Sequence, residues 1–126
     1  MRVGCDIVEL SGFGPRLERK GFIATYFHEN EIKYCEGAAH REAAFAARLA
    51  AKEAFVKALG TGFFQRSVTP ADVWVEADGE NPSGRGRPLI RFSEKISSLM
   101  KEGGFTAAQL SLSHDGNYAL ATVLLH

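Results

Sequence analysis

No stretch of this chain approaches the ~20 apolar residues that a membrane-spanning helix needs. Met1-Arg2 leads into an apolar run that meets Asp6 almost at once, which is too short for a secretory signal. Cysteine is scarce: Cys5 falls in an apolar strand pattern and Cys35 on an expected helix. Two reduced thiols packed as small hydrophobes fit this better than a disulfide scaffold. An excess of either charge is also missing, since fifteen Lys and Arg face fifteen Asp and Glu. No overall field draws the chain to nucleic acid, and a charged partner has to be met by a local patch. His28, His40 and His126 have no neighbours at metal-ligand spacing, which argues against zinc. A repeat of fixed period is absent as well. The expectation is a cytoplasmic protein that engages neither nucleic acid nor membrane.

What the chain does hold is ordinary globular material. Hydrophobic residues make up 45% and charged residues 24%, and 126 residues leave room for one domain but not for two well-buried halves. Residues 2–9 alternate as a strand, so Asp6 projects to the face opposite Ile7. Pro15 suits the first position of a helix over 15–24, and acids near Glu29 suit the first turn of another over 29–36. The segment 39–59 is helical in pattern. At about 100° per residue, Phe45, Leu49, Val56 and Leu59 form one stripe and six alanines a second face. A helix roughly 30 Å long with two such faces is expected to be buried on both sides, the second of them by another subunit, with Gly60-Thr61-Gly62 ending it. The period then changes. Strands are expected at Val73-Trp74-Val75, 89–92, 106–113 and 117–125, with a loop over 78–88 and a helix over 94–102. Asp115-Gly116 is the hairpin signal between the last two strands. The fold class is therefore α+β, an antiparallel sheet packed around a long central helix.

Several residues in this layout carry chemistry. An acid inside a Val/Ile strand, as Asp6 is, needs a cation, a hydrogen-bond network or water. Glu53 sits at the border of the apolar stripe and the alanine face, with Lys57 one turn on and Arg48 and Lys52 at the other edge. The set reads either as a helix rim carrying salt bridges or as the lining of a cleft. Two carboxylates from different elements suit one Mg²⁺, which takes its remaining ligands from water and a substrate phosphate. Arg48, Lys52 and Lys57 would then supply phosphate donors. Gly60 and Gly62 could turn backbone N–H groups toward an anion or merely stop the helix. Ser111, Ser113 and His114 at a strand end suit a phosphate or ribose, and equally a capped turn.

Taken together, these segments resemble the short, bacterial type of holo-acyl-carrier-protein synthase, a 4'-phosphopantetheinyl transferase. Gly4-Cys5-Asp6-Ile7-Val8-Glu9 is similar to the family's opening strand, and Arg48 to Gly62 to its signature helix. Gly86-Arg87-Pro88 resembles its mid-chain motif, and Ser111-Leu112-Ser113-His114 its late strand. The resemblance implies transfer of phosphopantetheine from coenzyme A to acyl carrier protein, with Asp6 and Glu53 binding Mg²⁺. It implies Lys57 near the phosphates, Arg48 and His114 at the nucleotide end, and a homotrimer with active sites at subunit interfaces. A non-catalytic trimer sensing coenzyme A or a nucleotide is the rival. Leu49 stands where an aromatic is more usual, and Gly12-Phe13-Gly14-Pro15 where relatives commonly carry a basic residue and isoleucine. Carrier proteins are acidic, so docking is expected at Arg16, Arg19 and Lys20, or else at Arg85, Arg87 and Arg91.

Overall fold

The first strand of the computed structural model, β1 (Arg2–Glu9), runs straight into a helix, α1 (Leu10–Leu17), with no loop between them. Two short helices follow, α2 (Phe22–Tyr26) and α3 (Glu29–Glu36), then the long α4 (Arg41–Leu59). A 3-10 turn at Pro70–Asp72 leads to β2 (Val73–Ala77), β3 (Pro88–Phe92), α5 (Glu94–Glu102), β4 (Ala108–Asp115) and β5 (Tyr118–Leu125). The structure describes residues 1–77 and 87–126. The loop expected over 78–88, together with Arg85 and Gly86, lies almost wholly outside them.

Two antiparallel sheets form, one ordered β1-β5-β4 and the other pairing β2 with β3. β4 and β5 are joined through Gly116-Asn117, where Gly116 has φ 55°. The turn thus sits one residue beyond the Asp115-Gly116 pair, with the glycine at its first position in the left-handed region. Helix α4 lies across the inner face of the larger sheet, against Val8, Ala119, Ala121 and Val123. Gly4 makes this approach possible. A Cβ there would stand 1.9 Å from the Ala54 carbonyl oxygen, so only glycine lets β1 lie on the helix backbone. The opposite side of α4 packs on α1, α3 and β2. Its alanine face is therefore covered within the same chain, and not left for another subunit as the sequence suggested.

The helix expected over 15–24 is corrected. Pro15 lies inside α1, which ends at Leu17, and the chain turns before α2 begins. The start of α1 is held from far away: Asn117 in the β4–β5 turn accepts from the Leu10 and Ser11 N–H groups, at 2.7 and 2.9 Å. This capping is tertiary, so no local signal marks it.

The outer face of the larger sheet is apolar. Val3, Cys5 and Ile7 of β1 stand opposite Leu124, Thr122 and Leu120 of β5 on the side away from α4. Val3 is 63% and Ile7 59% exposed. Both cysteines are free; Cys5 is exposed there, whereas burial pushes the Cys35 thiol up to about 11.

Candidate active site

β1 delivers Asp6 to its inner face, and α4 brings Glu53 and Lys57 alongside. The Lys57 ammonium donates to Asp6 Oδ1 at 2.9 Å and to the Cys5 carbonyl at 3.1 Å. Asp6 and Glu53 line one cleft of about 380 Å³ with Glu9, Gly12, Phe13 and Arg16. Burial raises the Glu53 pKa above the ordinary carboxylate range, and the Asp6 charge raises it further, against Lys57 and Arg16. A buried carboxylate whose charge a neighbouring acid disfavours in this way, together with that acid, forms a natural seat for a cation. Their oxygens are the hard ligands that Mg²⁺ takes, so the donor set fits that ion. Among the described residues no group of three or more His, Cys, Asp or Glu is placed to hold a metal, and a fit rests on this pair with substrate and water.

The remaining residues named from sequence do not all join this cleft. Arg48 is 500° round the helix from Glu53 at about 100° per residue, a net of roughly 140°, and so faces another cleft. That space is larger, about 460 Å³, and is lined by Tyr34, Arg48, Arg87 and Ser111 among others. Arg48 stacks over Tyr34, 4.2 Å from the ring centroid, and donates to the Ala44 carbonyl at 3.2 Å. Its Nε is buried and has no hydrogen-bond partner among the described residues. Ser113 and His114 are exposed on β4 beyond both clefts.

Lys52 is corrected. It is wholly buried, and its ammonium is held by Glu31 and by the Pro70 and Val73 carbonyls. It has no surface to offer a phosphate. The backbone donors expected at 60–62 are also engaged: Gly60 and Thr61 donate to the Val56 carbonyl and Gly62 to the Gln65 side chain. Gly60, with φ 87°, is the left-handed cap of α4.

Two cleft residues carried no chemical role in the sequence reading. Glu9 accepts from the Ser11 hydroxyl at 2.7 Å and from Asn117. Arg16, expected only as a docking residue, has its guanidinium 5.4 Å from the Phe22 centroid and 5.8 Å from that of Phe13. Gly12 is one turn before Arg16 on α1, and a Cβ there would meet nothing within 4 Å. The signal was the Gly12/Arg16 spacing, legible only with the right helix start.

The pattern of the 4'-phosphopantetheinyl transferase superfamily matches residues 2–123. The chain belongs to this superfamily, in its holo-acyl-carrier-protein synthase family. A holo-acyl-carrier-protein synthase from Trichlorobacter lovleyi is 38% identical over 98% of this chain and 94% of its own. The fold agrees. The family member from Neisseria meningitidis superposes with a TM-score of 0.85 at 27% identity, covering 99% of this chain and 97% of that one. The Helicobacter pylori enzyme, solved in complex with coenzyme A, superposes at 0.80 with 25% identity over 98% and 99%. The family's fold is thus the α+β arrangement described above.

Proposed function

We propose that this chain transfers the 4'-phosphopantetheine group of coenzyme A to a serine of acyl carrier protein and releases 3',5'-ADP. The observation that carries the proposal is the facing pair Asp6 and Glu53, with Lys57 bonded to Asp6, in one cleft of a chain of this family. The relatives' activity, and a family member solved with coenzyme A, support the same reading.

In the proposed reaction the serine oxygen bonds to the β-phosphorus of coenzyme A and the bridging P–O bond to 3',5'-ADP breaks. A magnesium ion on Asp6 and Glu53 supplies positive charge at the pyrophosphate when bound. Glu53, directly or through a water, is assigned to accept the serine proton. Lys57, steadied by Asp6 and the Cys5 carbonyl, offsets charge on the departing phosphate. Arg48, with Ser113 and His114, is assigned to the nucleotide end.

The Arg48 and Asp6 clefts lie on different sides of α4 and share no lining residue. A homotrimer that sets the Arg48 side of one protomer against the Asp6 side of the next would reunite the two. The exposed apolar sheet face around Val3 and Ile7 supports such an assembly. The reaction belongs to the cytoplasm and to fatty acid biosynthesis. The test is the intact mass of apo acyl carrier protein after incubation with coenzyme A, Mg²⁺ and this chain. A gain of one phosphopantetheine is expected, and an unchanged mass overturns the proposal.

A further inference from the structure

Phe64 is 61% exposed and its backbone has φ 65°, a conformation that L residues with a bulky side chain seldom adopt. Arg66 and Ser67 follow with φ 52° and 62°. Slack does not explain this, since the segment is tied throughout. The Phe64 N–H donates to the Val68 carbonyl, Val68 to Gln65, and the Lys95 ammonium to the Ser67 carbonyl at 2.7 Å. The fold thus holds an aromatic ring out into water at a cost in backbone strain, a pattern that goes with ligand contact.

The ring stands at one end of an aromatic strip. Phe64 meets Tyr26 edge-on at 6.1 Å, Tyr26 stacks on Phe22 at 4.5 Å, and Phe22 meets Phe13 at 6.1 Å. Arg16 lies over the last two rings, on the wall of the Asp6/Glu53 cleft. The strip therefore leads from open surface to the reacting carboxylates. Its rim is basic. Arg19 and Lys20 are exposed in the turn before α2, and neither they nor Arg16 make an ion pair among the described residues. The acid nearest them in the chain, Glu18, is taken by Arg41 at 3.5 Å. A protruding aromatic at one end of a strip whose other end lies on the element next to the exposed Arg19 and Lys20 fits an acidic protein that offers a small apolar contact.

We infer that Phe64 is the apolar anchor for the acidic carrier protein, which then lies along the strip with its acceptor serine toward the cleft. This rests on the proposed function for the identity of the partner. The test pairs Phe64→Gly with Phe64→Tyr in the full-length protein, and reads transfer kinetics, direct binding of apo carrier protein, and thermal melting. Glycine accepts φ 65° freely, so Phe64→Gly should melt no lower than wild type. Its KM and Kd for carrier protein should nevertheless rise roughly tenfold, while its KM for coenzyme A does not follow. Phe64→Tyr should keep wild-type values. Unchanged carrier-protein constants in Phe64→Gly overturn the inference. So does a rise matched by a lower melting temperature and by weaker coenzyme A binding, which marks a structural role. If wild type binds carrier protein but transfers nothing, the proposed function has failed, and the Kd comparison still decides the anchor. If wild type neither binds nor transfers, both fall.

Discussion

Glu53 bears a charge that its surroundings disfavour, first through burial and then through Asp6. The consequence for stability has a definite sign. With a folded-state pKa raised above 4.5, the native protein binds more protons than the unfolded chain between the two values. Stability therefore falls as pH rises through that window. Without a divalent cation, Glu53→Gln is expected to melt above wild type near neutral pH. The gap should close as pH drops toward the ordinary carboxylate value. Added Mg²⁺ should raise the wild-type melting temperature more than that of the variant. Melting curves across pH with and without Mg²⁺ check this, and a variant less stable than wild type at neutral pH contradicts it. Asp6 and Glu53 were legible in the sequence because an acid in an apolar strand and one at a stripe border both demand an explanation. Lys52 was misread for the complementary reason. A helical wheel cannot show that Glu31, on a different helix, waits under the same position.

At the scale of elements, Glu31 fastens α3, α4 and β2 together. Its carboxylate accepts from Lys52, from the Val75 N–H at 3.0 Å, and from the His28 N–H at 3.0 Å in a capping box. Burial, aided by the Arg48 charge, lowers the Lys52 pKa, and Glu31 opposes that shift. Lys52→Met is expected to leave the carboxylate buried without its cation, at a cost of about 3–5 kcal/mol. Glu31→Gln added to Lys52→Met should recover part of the loss, because no net charge then remains inside. Denaturant unfolding of the single and double variants measures this. Equal stability of wild type and Lys52→Met would show that the pair does not bind the elements together. The strands, α3 and α4 were readable from alternation, a first-turn acid and the 3.6 period. The start of α1 was not, because its orphan N–H groups are satisfied by Asn117 from the far end of the chain. The left-handed residues Arg66 and Ser67 are likewise tied from afar, to Glu102 and Lys95.

At the scale of the whole molecule, the surface in need of a cover is the outer sheet face, not the helix. The sequence reading reached the expectation of an oligomer through the two-faced helix, and the number three came from the family resemblance. Light scattering at micromolar concentration is expected to give a trimer, and Ile7→Lys, a charge in the middle of that face, a monomer. A monomeric wild type would return the site to one chain and leave the Arg48 cleft without a role in the reaction. The central claim, that Asp6 and Glu53 serve phosphopantetheine transfer, is tested most directly by intact mass. Apo acyl carrier protein should gain one phosphopantetheine from coenzyme A with wild type and Mg²⁺. It should gain almost none with Asp6→Ala or Glu53→Ala, whose circular dichroism should match wild type. An unmodified carrier protein with wild type, or full conversion by both variants at wild-type rate, would contradict the account.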